Sequence, residues 1–322
     1  MRVFLAGGTG AIGGRLLPQL LARGHQVTAT TRSRDKLGDL RALGAEAVVL
    51  DGLDAVAVGE AVARAEPDAI IHQMTALAGT WDLKHFDRWF ARTNELRTTG
   101  TEHLLAAAGA AGVQRFVAQS YTGWTNIREG GPVKTEDDPF DPEPAAAQTE
   151  SLAAIRFLEK AVLEAPLEGI VLRYGSFYGP GASASLVELV RRRRMPIVGS
   201  GEGVWSWIHL DDAAAATVAA LERGRRGVYN VVDDEPAKAS DIFPYLAEVV
   251  GAKPPMRVPA WLGRLAAGEV GVRVMTESRG ASNAKAKREL GWQPRWSSWR
   301  EGFRDGLTEP AAAPPSGARA AA

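Results

Sequence analysis

The sequence predicts an α/β fold, a doubly wound parallel sheet with a smaller, helix-rich C-terminal lobe. Three observations predict it. Short apolar runs alternate with helical patterns through the first half of the 322 residues. The first apolar run leads directly into a glycine-rich loop and a helix pattern. The second half breaks this alternation with Pro-marked loops and further helical stretches. Strands alternating with helices build βαβ units, which place their strands in parallel.

The elements follow in order. "RVFLAG" reads as a strand, "IGGRLLPQLLARG" as a helix ending at Gly24, and "QVTATTR" as a strand. "RDKLGDLRALG" is a helix, "AEAVVLD" a strand, "LDAVAVGEAVARA" a helix and "DAIIHQM" a strand. One long helical stretch is expected from Phe86 to Ala111, followed by the strand "RFVAQS". A helix over 151–164 precedes "GIVLRYGSFYGPG", a strand entering a Gly/Pro turn. "SLVELVRRRR" is a helix whose basic end, Arg191–Arg194, suits the negative end of the helix dipole. "SWIHLDDAAAATVAALERG" is a strand and a helix, with His209, Asp211 and Asp212 placed to cap and orient the latter, and "GVYNVVDDEP" is a strand and a turn. The expected division is a sheet domain over 1–175, completed by elements from about 205–232, and a lobe mainly over 176–308. The Pro/Ala-rich stretch 309–322 reads as a loosely held tail.

Composition narrows the function. Hydrophobic residues are 45% and charged residues 24%, so a large core needs no disulfide or metal staple. The net charge of zero argues against a nucleic-acid or anionic-membrane binder, which needs a basic surplus. The absence of cysteine excludes disulfides and thiolate chemistry. His, Asp and Glu show no metal-ligand spacing, and neither a signal peptide nor a membrane span is expected. A cytoplasmic protein acting on a small molecule fits these features.

"AGGTGAIGG" carries Gly7, Gly10 and Gly13 between the first strand and the first helix, with Thr9, Ala11 and Ile12 among them. In that setting the chain turns at Gly7, approaches a pyrophosphate at Gly10 and packs helix on strand at Gly13. A tight turn without a ligand is the alternative. At the end of the second strand, "TTRSR" offers Arg32, Ser33 and Arg34 and no carboxylate before Asp35. This suits the 2′-phosphate of NADP better than the free ribose of NAD. Asp51 can accept from the adenine amino group or cap the next helix.

These residues resemble the extended short-chain dehydrogenase/reductases, also described as NAD-dependent epimerase/dehydratases. "GGTGAIGG", "DGLD", "AIIHQMTA", "ARTNELRTTGTEHLLAAA", "RFVAQS", "VLRYGSFYGPG", "WSWIHLDDAAAA", "GVYNVVDDEP" and "NAKAKRELGWQP" stand in the family's order, from about residue 1 to 305. The resemblance implies a Rossmann-type sheet that binds NAD(P) and a lobe that selects the substrate. It implies cofactor contacts at Gly52, Gln73, Met74 and Thr75, a bound water near Asn94, and a nicotinamide-side loop at Gly175, Ser176 and Phe177. It also implies a tyrosine and, four residues on, a lysine, the first transferring a proton and the second lowering its pKa. Counting back from Arg173, those places hold Ala147 and Ser151, and no Tyr or Lys occurs between 135 and 159.

A substitute is expected after the "RFV" strand. Tyr121, flanked by Ser120 and Thr122, falls where the family holds the substrate oxygen. It serves either as a proton donor, with an ordinary phenol pKa of about 10, or as a wall of the pocket. Trp81, Trp89, Trp124, Trp205 and Trp207 stand in segments that face the family's cleft or its rim and suit an apolar or aromatic substrate, core packing being the alternative. Tyr178 is a further substrate-side candidate with a structural alternative. Three functions remain. One is an NADP-dependent oxidoreductase acting on a carbonyl, alcohol or activated double bond. The others are a non-redox isomerase, epimerase or dehydratase, and a non-catalytic dinucleotide sensor. A monomer or homodimer is expected, the latter through the helices at 86–111 and 151–164.

Overall fold

The computed structural model describes residues 1–77 and 82–308. The first half runs β1 (Arg2–Ala6), α1 (Ala11–Ala22), β2 (Gln26–Thr31), α2 (Leu37–Ala42), β3 (Glu46–Val49), α3 (Ala55–Ala65), β4 (Ala69–His72), α4 (Phe86–Arg97), α5 (Thr99–Ala110) and β5 (Arg115–Tyr121). Next come β6 (Val133–Lys134), α6 (Thr149–Glu164), β7 (Glu168–Tyr174), β8 (Ser176–Tyr178), α7 (Ala184–Arg191), β9 (Ile197–Val198), β10 (Val204–Trp205), β11 (Trp207–His209), α8 (Leu210–Arg223) and β12 (Gly227–Val231). The lobe closes with β13 (Ala237–Lys238), α9 (Ala239–Val249), β14 (Arg257–Val258), α10 (Ala260–Thr276), β15 (Gly280–Ala281), α11 (Ala284–Leu290) and α12 (Trp299–Asp305).

Seven parallel strands form the central sheet in the order β3-β2-β1-β4-β5-β7-β12. The winding direction reverses between β1 and β4. The loops leaving these two strands therefore diverge and open a crevice at the carboxyl edge of the sheet. Alternate strand residues feed two cores, which explains the continuous apolar runs. Val3, Leu5, Ile71 and Val117 pack under α1 and α8, while Phe4, Ala6, Ile70 and Phe116 pack under α3, α5 and α6.

The pattern over 86–111 reads as one helix, but the chain breaks at Thr98 (φ −95, ψ −88) into α4 and α5. The Thr98 amide and hydroxyl both donate to the Asn94 carbonyl at 2.9 Å, and this side-chain bond competes with helical continuation. His209 caps α8, its Nδ1 accepting from the Asp211 amide at 3.1 Å. Asp212 instead reaches out of the helix and accepts the Arg295 and Trp296 amides at 2.8 and 2.9 Å. This contact fastens the C-terminal segment to the sheet domain.

Candidate active site

The glycine loop is held from beneath. The Gly7 amide donates to Thr30 Oγ1 at 3.0 Å, and the Gly8 amide to the Thr30 carbonyl at 2.9 Å. The three glycines have different physical reasons. Gly7 has φ +96, and a Cβ there would fall 2.9 Å from the Gln73 carbonyl. A Cβ at Gly13 would overlap the Gly7 carbonyl oxygen and lie 2.8 Å from Gly8. Packing within the chain therefore demands both. At Gly10 a Cβ would meet only the Gly7 oxygen, at 3.4 Å, an ordinary contact. Gly10 lies exposed at the N-cap of α1 with no side-chain capping bond. Nothing in the fold requires a missing side chain there, whereas a phosphate approaching the helix N-terminus does. The cradle fits a dinucleotide.

Thr31, at the end of β2, joins the loop through Thr9 (Oγ1 to Oγ1, 3.1 Å) and accepts from the Ser33 amide at 3.2 Å. Arg32 and Arg34 are exposed, and their side chains form no ion pair among the described residues. Asp51 does not cap α3; Asp54 does, accepting the Ala57 amide at 3.0 Å. Asp51 instead pairs with Arg92 of α4 at 2.8 Å. Gly52 lies tight against Met74, 2.5 Å from a built Cβ to its sulfur.

The ends of β4, β5 and β7 share the carboxyl edge with the cradle. Gln73 is buried, donates to Tyr174 Oη at 3.1 Å and has a buried Oε1 without a partner. Thr75 is half-buried beside Met74, whose amide donates to His72 Nδ1 at 3.2 Å. Gly175 lets β7 pass 2.6 Å, measured from a built Cβ, from the Ser206 carbonyl. Phe177 packs against Tyr174 with ring centroids 5.4 Å apart. Tyr121 lies half-buried, its hydroxyl 3.4 Å from Ser176 Oγ and its ring stacked on Trp124 at 6.1 Å. Burial raises its pKa above the ordinary phenol value expected from sequence, opposed by the bond to Ser176. The phenol therefore holds its proton at neutral pH. Its neighbours are committed elsewhere. Ser120 faces α6 and donates to Glu159 Oε1 at 2.6 Å, and Thr122 pairs with Asn126 at 3.0 Å.

Glu159 was not singled out by sequence. It is buried against Arg173, with N–O distances of 2.8 and 2.7 Å, and Arg173 lies over Phe140 at 4.4 Å. Breaking such a buried pair costs about 3–5 kcal/mol, so this pair secures α6 on β7.

Ser151 lies in the first turn of α6, and Ala147 in the short turn just before it. Ala147 packs beside Trp124, Trp89, Phe86 and Phe90. Ser151 is fully buried, and its hydroxyl donates to Asp87 Oδ1 at 2.6 Å while accepting from Asn94 Nδ2 at 3.1 Å. Asp87 also accepts the amides of Ser151 (2.9 Å) and Glu150 (3.0 Å), capping α6 from the first turn of α4. Asn94 Oδ1 is buried without a partner. No local signal marks Asp87, because its partners lie more than sixty residues away in sequence.

Of the aromatic candidates among the described residues, only Trp124 adjoins Tyr121 directly; Trp89 belongs to the same cluster as Trp124. Trp81 lies outside the described residues. Tyr178, Trp205 and Trp207 are packed into the C-terminal lobe with Phe243, Trp299 and Phe303, and Trp205 Nε1 donates to the Val274 carbonyl at 3.0 Å. Tyr178 is fully buried against Gly302, and its hydroxyl has no partner. The lobe's own core takes these rings: β8 pairs with β11 and β10 with β13, and Tyr178, Trp207 and Trp205 of these strands face that core. Among the described residues there is no metal-ligand cluster, and no helix is long and apolar enough to cross a membrane.

A sequence profile of the NAD dependent epimerase/dehydratase family matches residues 3–232. The chain is 41% identical over 310 residues to a 3-diazoavenalumate denitrifying reductase of a Streptomyces species, spanning 94% of this chain and 99% of that one. It is 30% identical over 266 residues to a 2-alkyl-3-oxoalkanoate reductase of Stenotrophomonas maltophilia, spanning 78% and 76%. The fold matches UDP-glucose 4-epimerase from Thermotoga maritima, solved with UDP-glucose, with a TM-score of 0.73 over 95% of this chain and 97% of that one. Identity there is 23%, so that likeness concerns the fold alone. With the dinucleotide cradle, these matches show that the chain belongs to the NAD dependent epimerase/dehydratase family and is an NAD(P)-dependent oxidoreductase.

Proposed function

We propose that this protein is an NADP-preferring reductase whose acceptor needs no proton from the enzyme, first among such acceptors a diazo-derived group on an aromatic or conjugated carbon. The observation that carries this is the turn that leads into α6 together with the helix's first residues. Ala147 has no proton to give, and the Ser151 hydroxyl proton is already donated to Asp87 at 2.6 Å. The diazo chemistry in the name of the relative at 41% identity supports the reading. When bound, the reduced nicotinamide supplies the hydride. Gly7, Thr9, Gly10, Ala11, Ile12 and Gly13 hold the pyrophosphate in this reading. Arg32, Ser33 and Arg34 hold the 2′-phosphate, and Asp51 and Gly52 lie at the adenine end. Gln73, Met74, Thr75, Asn94, Gly175, Ser176 and Phe177 line the nicotinamide end, and Trp124 forms an apolar wall.

A second reading keeps a carbonyl or activated double bond as acceptor, with Tyr121 giving the proton. Its half-buried phenol beside Ser176 supports this, as does the oxoalkanoate reductase relative. We further propose a monomer or a homodimer formed through the outer faces of α4 and α6, where Phe157 is exposed. The test of function is NADPH consumption above the enzyme-free rate with benzenediazonium and, separately, with aryl ketones. Consumption with benzenediazonium supports the first reading. Consumption with ketones alone selects the second, and none with either rejects both.

A further inference from the structure

We propose that Asp87 sets the charge preference of this site: its carboxylate favours a positively charged acceptor, an arene diazonium cation, over a neutral one. The proposal rests on the reading of the site given above. A lysine at position 151 would place a cation at the start of α6. This chain places a carboxylate there. Asp87 Oδ1 accepts the Ser151 hydroxyl and amide at 2.6 and 2.9 Å, and Oδ2 accepts the Glu150 amide at 3.0 Å.

All these partners are dipoles. Among the described residues no Lys, Arg or His forms an ion pair with Asp87. The neighbouring acids have cationic partners: Asp82 pairs with His85 and Arg88, and Asp51 and Glu95 share Arg92. Asp87 thus keeps a charge answered only by dipoles, and its half-buried position limits screening by water; Arg97, the buried cation of α4, lies over Phe90 at 5.4 Å and opposes it in sign. Two further features agree in sign. Asn94 Oδ1 is a buried acceptor without a partner, adjoining Ser151. The rings of Phe86, Trp124 and Tyr121 lie together beside Ala147, and aromatic faces attract cations.

The chemistry has the same sign. A hydride with its electron pair passes to the diazonium group, the carbon–nitrogen bond breaks, dinitrogen leaves and a carbon–hydrogen bond forms. The positive charge of the acceptor and the negative charge of the hydride cancel. No proton is taken up, so neither a tyrosine nor a lysine is needed to supply or stabilise one. A lysine would also repel the acceptor.

The experiment compares wild type, Asp87→Asn and Asp87→Glu, each saturated with NADPH. The Asn oxygen still accepts the Ser151 amide and hydroxyl, and only the bond from the Glu150 amide is lost, so the cap on α6 is weakened but retained and the protein stays folded. Asp87→Asn is expected to lower kcat/KM for benzenediazonium by a factor of about ten, the scale of one charge acting across about a nanometre of partly polar medium. It is expected to weaken competitive inhibition by phenyltrimethylammonium to a similar extent and to leave the neutral isostere tert-butylbenzene unchanged. Asp87→Glu is expected to restore much of the preference for the cation. Equal effects on the charged and neutral inhibitors, or none on either, would overturn the charge role. The inhibitors test that role without turnover. If wild type prefers the cationic inhibitor but does not reduce benzenediazonium, the proposed function fails and the charge role stands. If wild type turns over benzenediazonium and Asp87→Asn leaves kcat/KM unchanged, the charge role fails and the function stands.

Discussion

Replacing Gly10 by valine separates the needs of the fold from the needs of the ligand. At Gly10 a Cβ meets only one oxygen, at 3.4 Å, and φ is −73, which valine adopts freely. The fold should lose less than about 1 kcal/mol, because the unfolded chain also loses entropy when glycine is replaced. Gly13→Ala is the internal control. Its methyl carbon would overlap the Gly7 carbonyl and sit 2.8 Å from Gly8, and overpacking of this kind costs about 1–3 kcal/mol or more. The melting temperature should therefore fall by about 2–4 °C per kcal/mol for Gly13→Ala and barely move for Gly10→Val. Binding should respond differently. The valine side chain stands where a pyrophosphate meets the helix N-terminus. Losing even two charge-assisted hydrogen bonds of about 1.5–3 kcal/mol each lowers affinity on the order of a hundredfold or more. Calorimetric titration with NADPH, alongside thermal melts of both variants, reads both quantities. Gly10→Val binding NADPH with wild-type affinity would refute the placement of the cofactor.

Other predictions follow from the same geometry. Arg32→Ala should weaken NADP binding by about tenfold, the lower range for an exposed arginine–phosphate contact, and leave NAD binding unchanged, as titration with both cofactors would read. Tyr121→Phe should lower turnover of a ketone by about 10²–10⁴-fold under the second reading and leave reduction of a diazonium acceptor near its normal rate under the first. Burial lowers the pKa of His72 to about 4, so the fold favours its neutral form. The unfolded chain then binds the extra proton as pH falls below about 6.5, and stability drops by roughly 3 kcal/mol down to about pH 4. Urea titrations across that window should show the drop, and His72→Gln should flatten it.

The sheet and the cradle were legible because their causes are local. Strand periodicity, the glycine spacing and the missing carboxylate after β2 each lie within a few residues. What escaped depends on distant partners. Thr98 breaks the predicted long helix through a bond to Asn94, and Asp54 rather than Asp51 caps α3. Asp87 and Glu159 act through Ser151, Ser120 and Arg173, which no local pattern connects to them. Aromatic character alone does not separate Trp124, beside Tyr121, from Trp205 and Trp207, which fill the lobe's core. Strand pairing decides which rings turn inward.

The central claim is that the site reduces an acceptor without supplying a proton, and proton stoichiometry tests it most directly. In weakly buffered solution with a pH indicator, NADPH oxidation, dinitrogen release and proton uptake are followed together during turnover of benzenediazonium. The account predicts equal amounts of NADPH oxidised and dinitrogen released, with no net proton uptake. Failure to oxidise NADPH with this acceptor, together with reduction of a ketone and uptake of one proton per NADPH, would contradict it.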